Sequence, residues 1–208
     1  MTLVRVFLVA LFAVCLTASA QEAQISQSSI YSEVTSNTRL EKALDTLTGT
    51  SGEWAQKAIL GSNLSKKPIK IEFRDLSKIS PIYSNFDALG WKDGDQLYIY
   101  LSNIHKNAPI QALGSILCHE AIHQDEYSSI QEETYGWAYE AIVWMEMKRK
   151  NPSLVNASPI EYPLVNRLNT LENMYKKANN TDKEIERAVS TNPGYRNLPE
   201  VSPGFGKN

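Results

Sequence analysis

The stretch LCHEAIHQDE, residues 117–126, holds His119 and His123, two of the three histidines in the chain. On an α-helix, residues four apart lie one above the other on one face, so these imidazoles can converge on a single ion. Nitrogen ligands at that spacing suit Zn²⁺. Glu120 is rotated about 100° from His119 by the 3.6-residue turn, which points its carboxylate beside the ion, where a water would sit. That is the place of a general base. With three histidines in 208 residues, chance supplies about 0.003 copies of H-E-x-x-H per chain of this composition, so coincidental histidines on a surface helix are a poor account. The helix is predicted from Ile110, Leu113, Ile116, Leu117 and Ile122, apolar at helical spacing behind Pro109.

Catalytic zinc commonly takes three protein ligands, with water in the fourth place. Glu126 shares the face of His119, but seven residues of helix separate the two by about 10 Å, whereas both would have to lie about 2 Å from one ion. The third ligand therefore comes from another element. The longer metzincin pattern fails too, with Glu126 where Gly is needed and Ser129 where His is needed. A second helix is predicted over residues 131–150. Ser129-x-x-Glu132 matches a capping box, which gives Glu132 a structural task at its start and leaves Glu133 free. Gly136, three residues on, is small enough for a close approach to the HEAIH helix.

Here the sequence resembles the gluzincin metallopeptidases, in which an H-E-x-x-H helix is followed by a second helix bearing E-x-x-A or E-x-x-S. The resemblance covers about residues 97–147, and the short interval from His123 to Glu133 resembles the compact members. It implies a zincin-like fold, one zinc held by His119, His123 and Glu133, and peptide-bond hydrolysis with Glu120 as general base. Glu132 remains the alternative third ligand. Trp137 stands where longer members place an aspartate, so the carboxylate that orients a ligand histidine is unassigned; Glu140 is either that group or a solvated charge. The resemblance also implies that the strand before the helix, QLYIYLSN at residues 96–103, pairs with an extended peptide, unless both its edges are covered. An oxyanion donor is expected among Tyr195, His105, Tyr139 and Arg167. Of these, His105 reads most simply as a surface histidine after the strand, and Tyr195 as a packing aromatic in a turn.

Outward from this core, IKIEF at residues 69–73 and QLYIYLSN alternate apolar and polar positions, as half-buried strands do. Residues 81–92 add an irregular strand before the turn KDGD. TRLEKALDTL and GEWAQKAIL are short helices closed by Gly49 and Gly61, and further helices are predicted over residues 164–178 and 183–189. The order predicts an α+β domain with a short mixed sheet, the HExxH helix and following C-terminal helices. Its bounds are residues 37–191, after a flexible Ser/Gln-rich lead-in at 21–36 and before a Pro/Gly-rich irregular tail at 192–208, which could fold over the cleft as a lid.

Residues 1–20 have the pattern of a secretory signal peptide: Arg5, an apolar run at 6–16, then Ala18 and Ala20 before Gln21. This predicts cleavage after Ala20 and a secreted or periplasmic protein. The alternative is an uncleaved anchor, although the run falls short of the roughly 20 residues a spanning helix needs. No later segment is apolar enough to span. Losing Arg5 leaves 20 Lys and Arg against 23 Asp and Glu, about −3, which argues against nucleic acid or an anionic membrane as partner. Cys118 is then the sole cysteine, so no intramolecular disulfide is available, and a small buried core residue is its simplest reading. The expected partner is a peptide or protein substrate. Two other functions use the same motif: a zinc-stapled binding or assembly protein that hydrolyses nothing, and an amidase of cell-wall peptide.

Overall fold

The computed structural model describes residues 30–125 and 127–203. The expected signal peptide, its cleavage site and Glu126 lie outside the described residues. The described residues fold as an α+β unit of six α-helices and one three-stranded mixed sheet. The domain begins earlier than residue 37. Tyr31 and Val34 are buried in the main core, and the Val34 carbonyl accepts from the Ile71 amide, so this part of the expected flexible lead-in is held against the sheet.

Helix α1 (Thr38–Asp45) starts where the Asn37 side chain accepts from the amides of Arg39 and Leu40, satisfying two donors that a helix start leaves open. Helix α2 (Glu53–Ile59) follows. Strand β1 (Lys70–Arg74) pairs in parallel with β3 (Gln96–Ser102), and β2 (Ala88–Asp93) pairs with β3 antiparallel, giving the order β1-β3-β2. Gly94, with φ +56°, occupies a backbone region that L side chains disfavour and turns the β2–β3 hairpin. Leu97, Ile99 and Leu101 face the core, as their alternation predicts, but Tyr100 and Ser102 on the opposite side are buried as well, so β3 is not the half-buried strand expected. QLYIYLSN is nevertheless the central strand, with β1 on one side and β2 on the other, so it cannot take an added strand. Among the described strands, β2 is the edge strand that lines the cleft at the histidines.

Helices α3 (Ile110–Glu120), α4 (Ile130–Lys150), α5 (Pro163–Lys177) and α6 (Lys183–Ser190) complete the fold. Leu113, Ile116 and Leu117 of α3 are buried with Leu40, Leu44 and Trp144 in one core, which fixes α3 between the sheet, α1 and α4. Cys118 lies in the same core, and burial pushes its thiol far above the usual range. A smaller cluster, including Ala141, Leu171 and Val189, joins α4, α5 and α6, with Tyr195 and Leu198 packed against it. The described part of the tail is therefore docked on the domain. No helix among the described residues is long and apolar enough to cross a membrane.

Candidate metal centre

The α3 helix ends at Glu120, one turn before His123. The expectation that both histidines ride on one regular helix is therefore corrected. The amides of Ile122 and His123 bond the carbonyls of His119 and Glu120, three residues back, so the chain leaves α3 through a tightened turn. That turn still brings the imidazole centroids within 5.3 Å.

The histidines present the same nitrogen to the same carboxylate. His119 Nε2 lies 3.5 Å from Glu133 Oε2, and His123 Nε2 lies 3.6 Å from Glu133 Oε1. One ligand atom from each of the three residues can be chosen so that all lie within 4.8 Å of one another. Ligands about 2.0–2.1 Å from a tetrahedral ion sit about 3.4 Å apart, so the donor set and its spacing fit zinc. The opposite ring nitrogens are also engaged. His119 Nδ1 is 2.5 Å from Glu140 Oε1, and His123 Nδ1 is 3.2 Å from Glu132 Oε1. A carboxylate on Nδ1 fixes the tautomer that leaves Nε2 free to ligate.

These contacts separate the two glutamates. Glu133 faces both Nε2 atoms, while Glu132 holds the back of His123. The capping box is only half made: Ser129 Oγ accepts from the Glu132 amide at 3.2 Å, but the Glu132 side chain turns to His123 and Ser202. Glu140 is fully buried between His119 and Arg167, which overturns its reading as a solvated charge. Arg167 grips Glu140 at 3.0 and 2.7 Å and reaches Asp87 Oδ2 at 3.0 Å, and its guanidinium carbon stands 5.1 Å over the Trp137 ring.

Two other expectations change. His105 is no surface histidine: it is 1% exposed, with Nε2 2.6 Å from Asp87 Oδ1. Tyr139 packs edge-on against Trp54 beside the main core. Of the four oxyanion candidates, Tyr195 and Arg167 line the cleft at the histidines, whose volume is about 620 Å³. Arg167 is already bound by two carboxylates. Tyr195 stacks edge-on to Trp137, and its hydroxyl faces Glu133. The tail lines the cleft at Asn192, Gly194 and Tyr195 and then runs to the start of α4.

Gly136 explains how α4 approaches so closely. A Cβ there would sit 2.5 Å from His119 Cδ2 and 2.7 Å from Nε2. Gly136→Ala is therefore expected to push the imidazole out of place and weaken zinc binding roughly 10-fold or more, as read by chelator competition. Unchanged affinity would mean that the helices part without disturbing the site.

Charge also shapes the site. Burial works against the His119 imidazolium, but the Glu133 and Glu140 carboxylates outweigh it and hold its pKa up to about 10. Glu133 shows the converse: burial raises it, yet His119 and His123 bring it down to about 2, so it stays ionised. A folded pKa above the unfolded 6.5 means that charged His119 stabilises the metal-free fold below pH 6.5, a contribution lost as pH rises through about 10. Zinc requires the neutral ring. Its affinity is therefore expected to climb by about tenfold or more per pH unit between about pH 7 and 9, since His119 releases one proton and the His123 pKa is raised as well. Competition titrations across that range check it, and a flat profile would contradict it.

Compared with known proteins, the chain matches no family model, no curated protein and no solved structure.

Proposed function

We propose that this chain is an exported, zinc-dependent peptidase of compact gluzincin type. The observation that carries the reading is the convergence of His119 Nε2, His123 Nε2 and the Glu133 carboxylate, with Glu140 and Glu132 behind the two rings. A zincin-like fold is part of the proposal, supported by a mixed sheet whose antiparallel strand β2 borders the cleft above the HEAIH turn. Export rests on the signal-peptide pattern of residues 1–20.

His119, His123 and Glu133 would hold the ion. When bound, zinc supplies Lewis acidity, lowering the pKa of water in the cleft and polarising a substrate carbonyl. Glu120 is not one of the clustered ligands, yet it lines the same cleft and is nearly buried. Burial raises its carboxyl pKa, and His119 and His123 oppose that shift only in part. A base so tuned takes a proton from water as the oxygen adds to the peptide carbon, then passes it to the leaving amine as the C–N bond breaks. Tyr195 is the oxyanion donor in this reading. Burial and then the neighbouring Glu133 charge raise its pKa well above the usual phenol value, so the hydroxyl keeps its proton to donate.

Incubating the zinc-loaded protein with casein and, separately, with peptidoglycan tests the proposal. Casein cleavage that stops with chelator and returns with zinc supports it. Cleavage of peptidoglycan alone would move the substrate to cell-wall peptide, and cleavage of neither would favour the zinc-stapled binding protein.

A further inference from the structure

Beyond α6 the chain runs through tight turns, with the amides of Tyr195 and Leu198 bonded to the carbonyls three residues before them. It then meets the first turn of α4. The Pro199 and Glu200 carbonyls accept from the amides of Ile130 and Gln131 at 2.9 and 3.0 Å. These are donors that a helix start cannot satisfy from within. Two residues on, Ser202 is 5% exposed, and its hydroxyl donates to Glu132 Oε2 at 2.8 Å while accepting from Ser129 Oγ at 3.4 Å. The other oxygen of the same carboxylate, Glu132 Oε1, faces His123 Nδ1.

The three groups form one line. A carboxylate on a flexible side chain orients a histidine only if its own rotamer is fixed, and partners outside the ligand shell commonly do this. Glu132 has the Ser202 hydroxyl for that purpose, delivered by a strap that the Pro199 and Glu200 carbonyls pin to the same helical turn. Ser202 thus stands one residue removed from a metal ligand, although 79 positions separate it from His123 in sequence (202 − 123).

We propose that Ser202 is a positioning residue of the metal centre, acting on His123 through Glu132, and that the C-terminal strap completes the site. The inference rests on the metal-centre reading of His119, His123 and Glu133. Ser202→Ala leaves both strap carbonyl bonds in place, removes the hydroxyl donor and frees the Glu132 carboxylate to turn away from His123. Ser202→Thr restores the hydroxyl.

The experiment measures zinc affinity by chelator competition for wild type, Ser202→Ala, Ser202→Thr, Glu132→Ala and the Ser202→Ala, Glu132→Ala double variant. Melting temperatures of the metal-free proteins and visible spectra of the Co²⁺-loaded forms accompany it. Expected is a roughly 10- to 100-fold weakening in Ser202→Ala, an altered Co²⁺ spectrum, and recovery of both in Ser202→Thr. In the Glu132→Ala background, removing Ser202 should have no further effect on affinity, because the path to His123 is already cut. Affinity in Ser202→Ala equal to wild type would overturn the proposal. So would losses in Ser202→Ala and Glu132→Ala that simply add, or a loss in Ser202→Ala that only follows its metal-free melting temperature. A wild type that binds no zinc would instead defeat the metal-centre reading itself.

Discussion

Replacing Glu120 by glutamine is expected to lower peptide-bond turnover roughly 100- to 10,000-fold, the usual worth of a positioned general base, with zinc content unchanged. The two halves of that result have separate causes. Glu120 is not among the three residues that could share the ion, so its charge is not needed to hold metal. It does line the cleft, with His123 and the edge strand β2 about it; a Cβ built on Gly90 would stand 3.4 Å from His123 Cβ and 3.8 Å from Glu120 Oε2. Glutamine keeps the shape and loses the ability to take a proton. Zinc assay and casein turnover on the same preparation read both halves. Full turnover in the zinc-loaded variant would remove Glu120 from the chemistry, and loss of zinc along with turnover would make it a ligand.

The second large effect separates two adjacent glutamates. Glu133→Ala is expected to abolish stoichiometric zinc, because its two oxygens face His119 Nε2 and His123 Nε2. A pair of histidines alone leaves a metal with too few protein ligands. Glu132→Ala is expected to keep the ion at an affinity weakened roughly 10- to 100-fold, the usual consequence of removing a carboxylate behind a ligand imidazole. Both carboxylates are buried, so folding must be checked by circular dichroism before metal is counted. Zinc lost with Glu132→Ala and kept with Glu133→Ala would exchange their roles.

The parts of this site that could be read from sequence are those set by short-range geometry. The four-residue interval of His119 and His123 places their rings together whether the last turn is α-helical or tighter, which is why ending α3 at Glu120 leaves them 5.3 Å apart. The strands and helices follow from apolar periodicity, and Glu133 lies in the first turn of α4, ten positions after His123. The order of strands was not legible. Nothing in QLYIYLSN says whether it lies at an edge, because alternation reports one buried face and not the number of neighbours. The outer groups were less legible still. Arg167 bonds Asp87 across 80 positions and Ser202 bonds Glu132 across 70, contacts decided by how α5 and the tail pack. Glu140 carried one usable signal, its place two turns beyond Glu133 on α4, and that spacing alone could not tell a buried partner of His119 from a solvated charge. His105 follows a strand in a stretch that reads as loop. Only the fold reveals that Asp87 meets it.

The most direct test of the account is the zinc content of the purified protein from residue 21 onward, measured by elemental analysis after reconstitution and removal of excess metal. The account predicts one zinc per chain, released by chelator and accompanied by a fall in melting temperature, since an ion bound only by the folded site stabilises that fold. A reconstituted protein that holds no zinc, with a melting temperature indifferent to chelator, would contradict it and leave HEAIH as two histidines at the end of a buried helix.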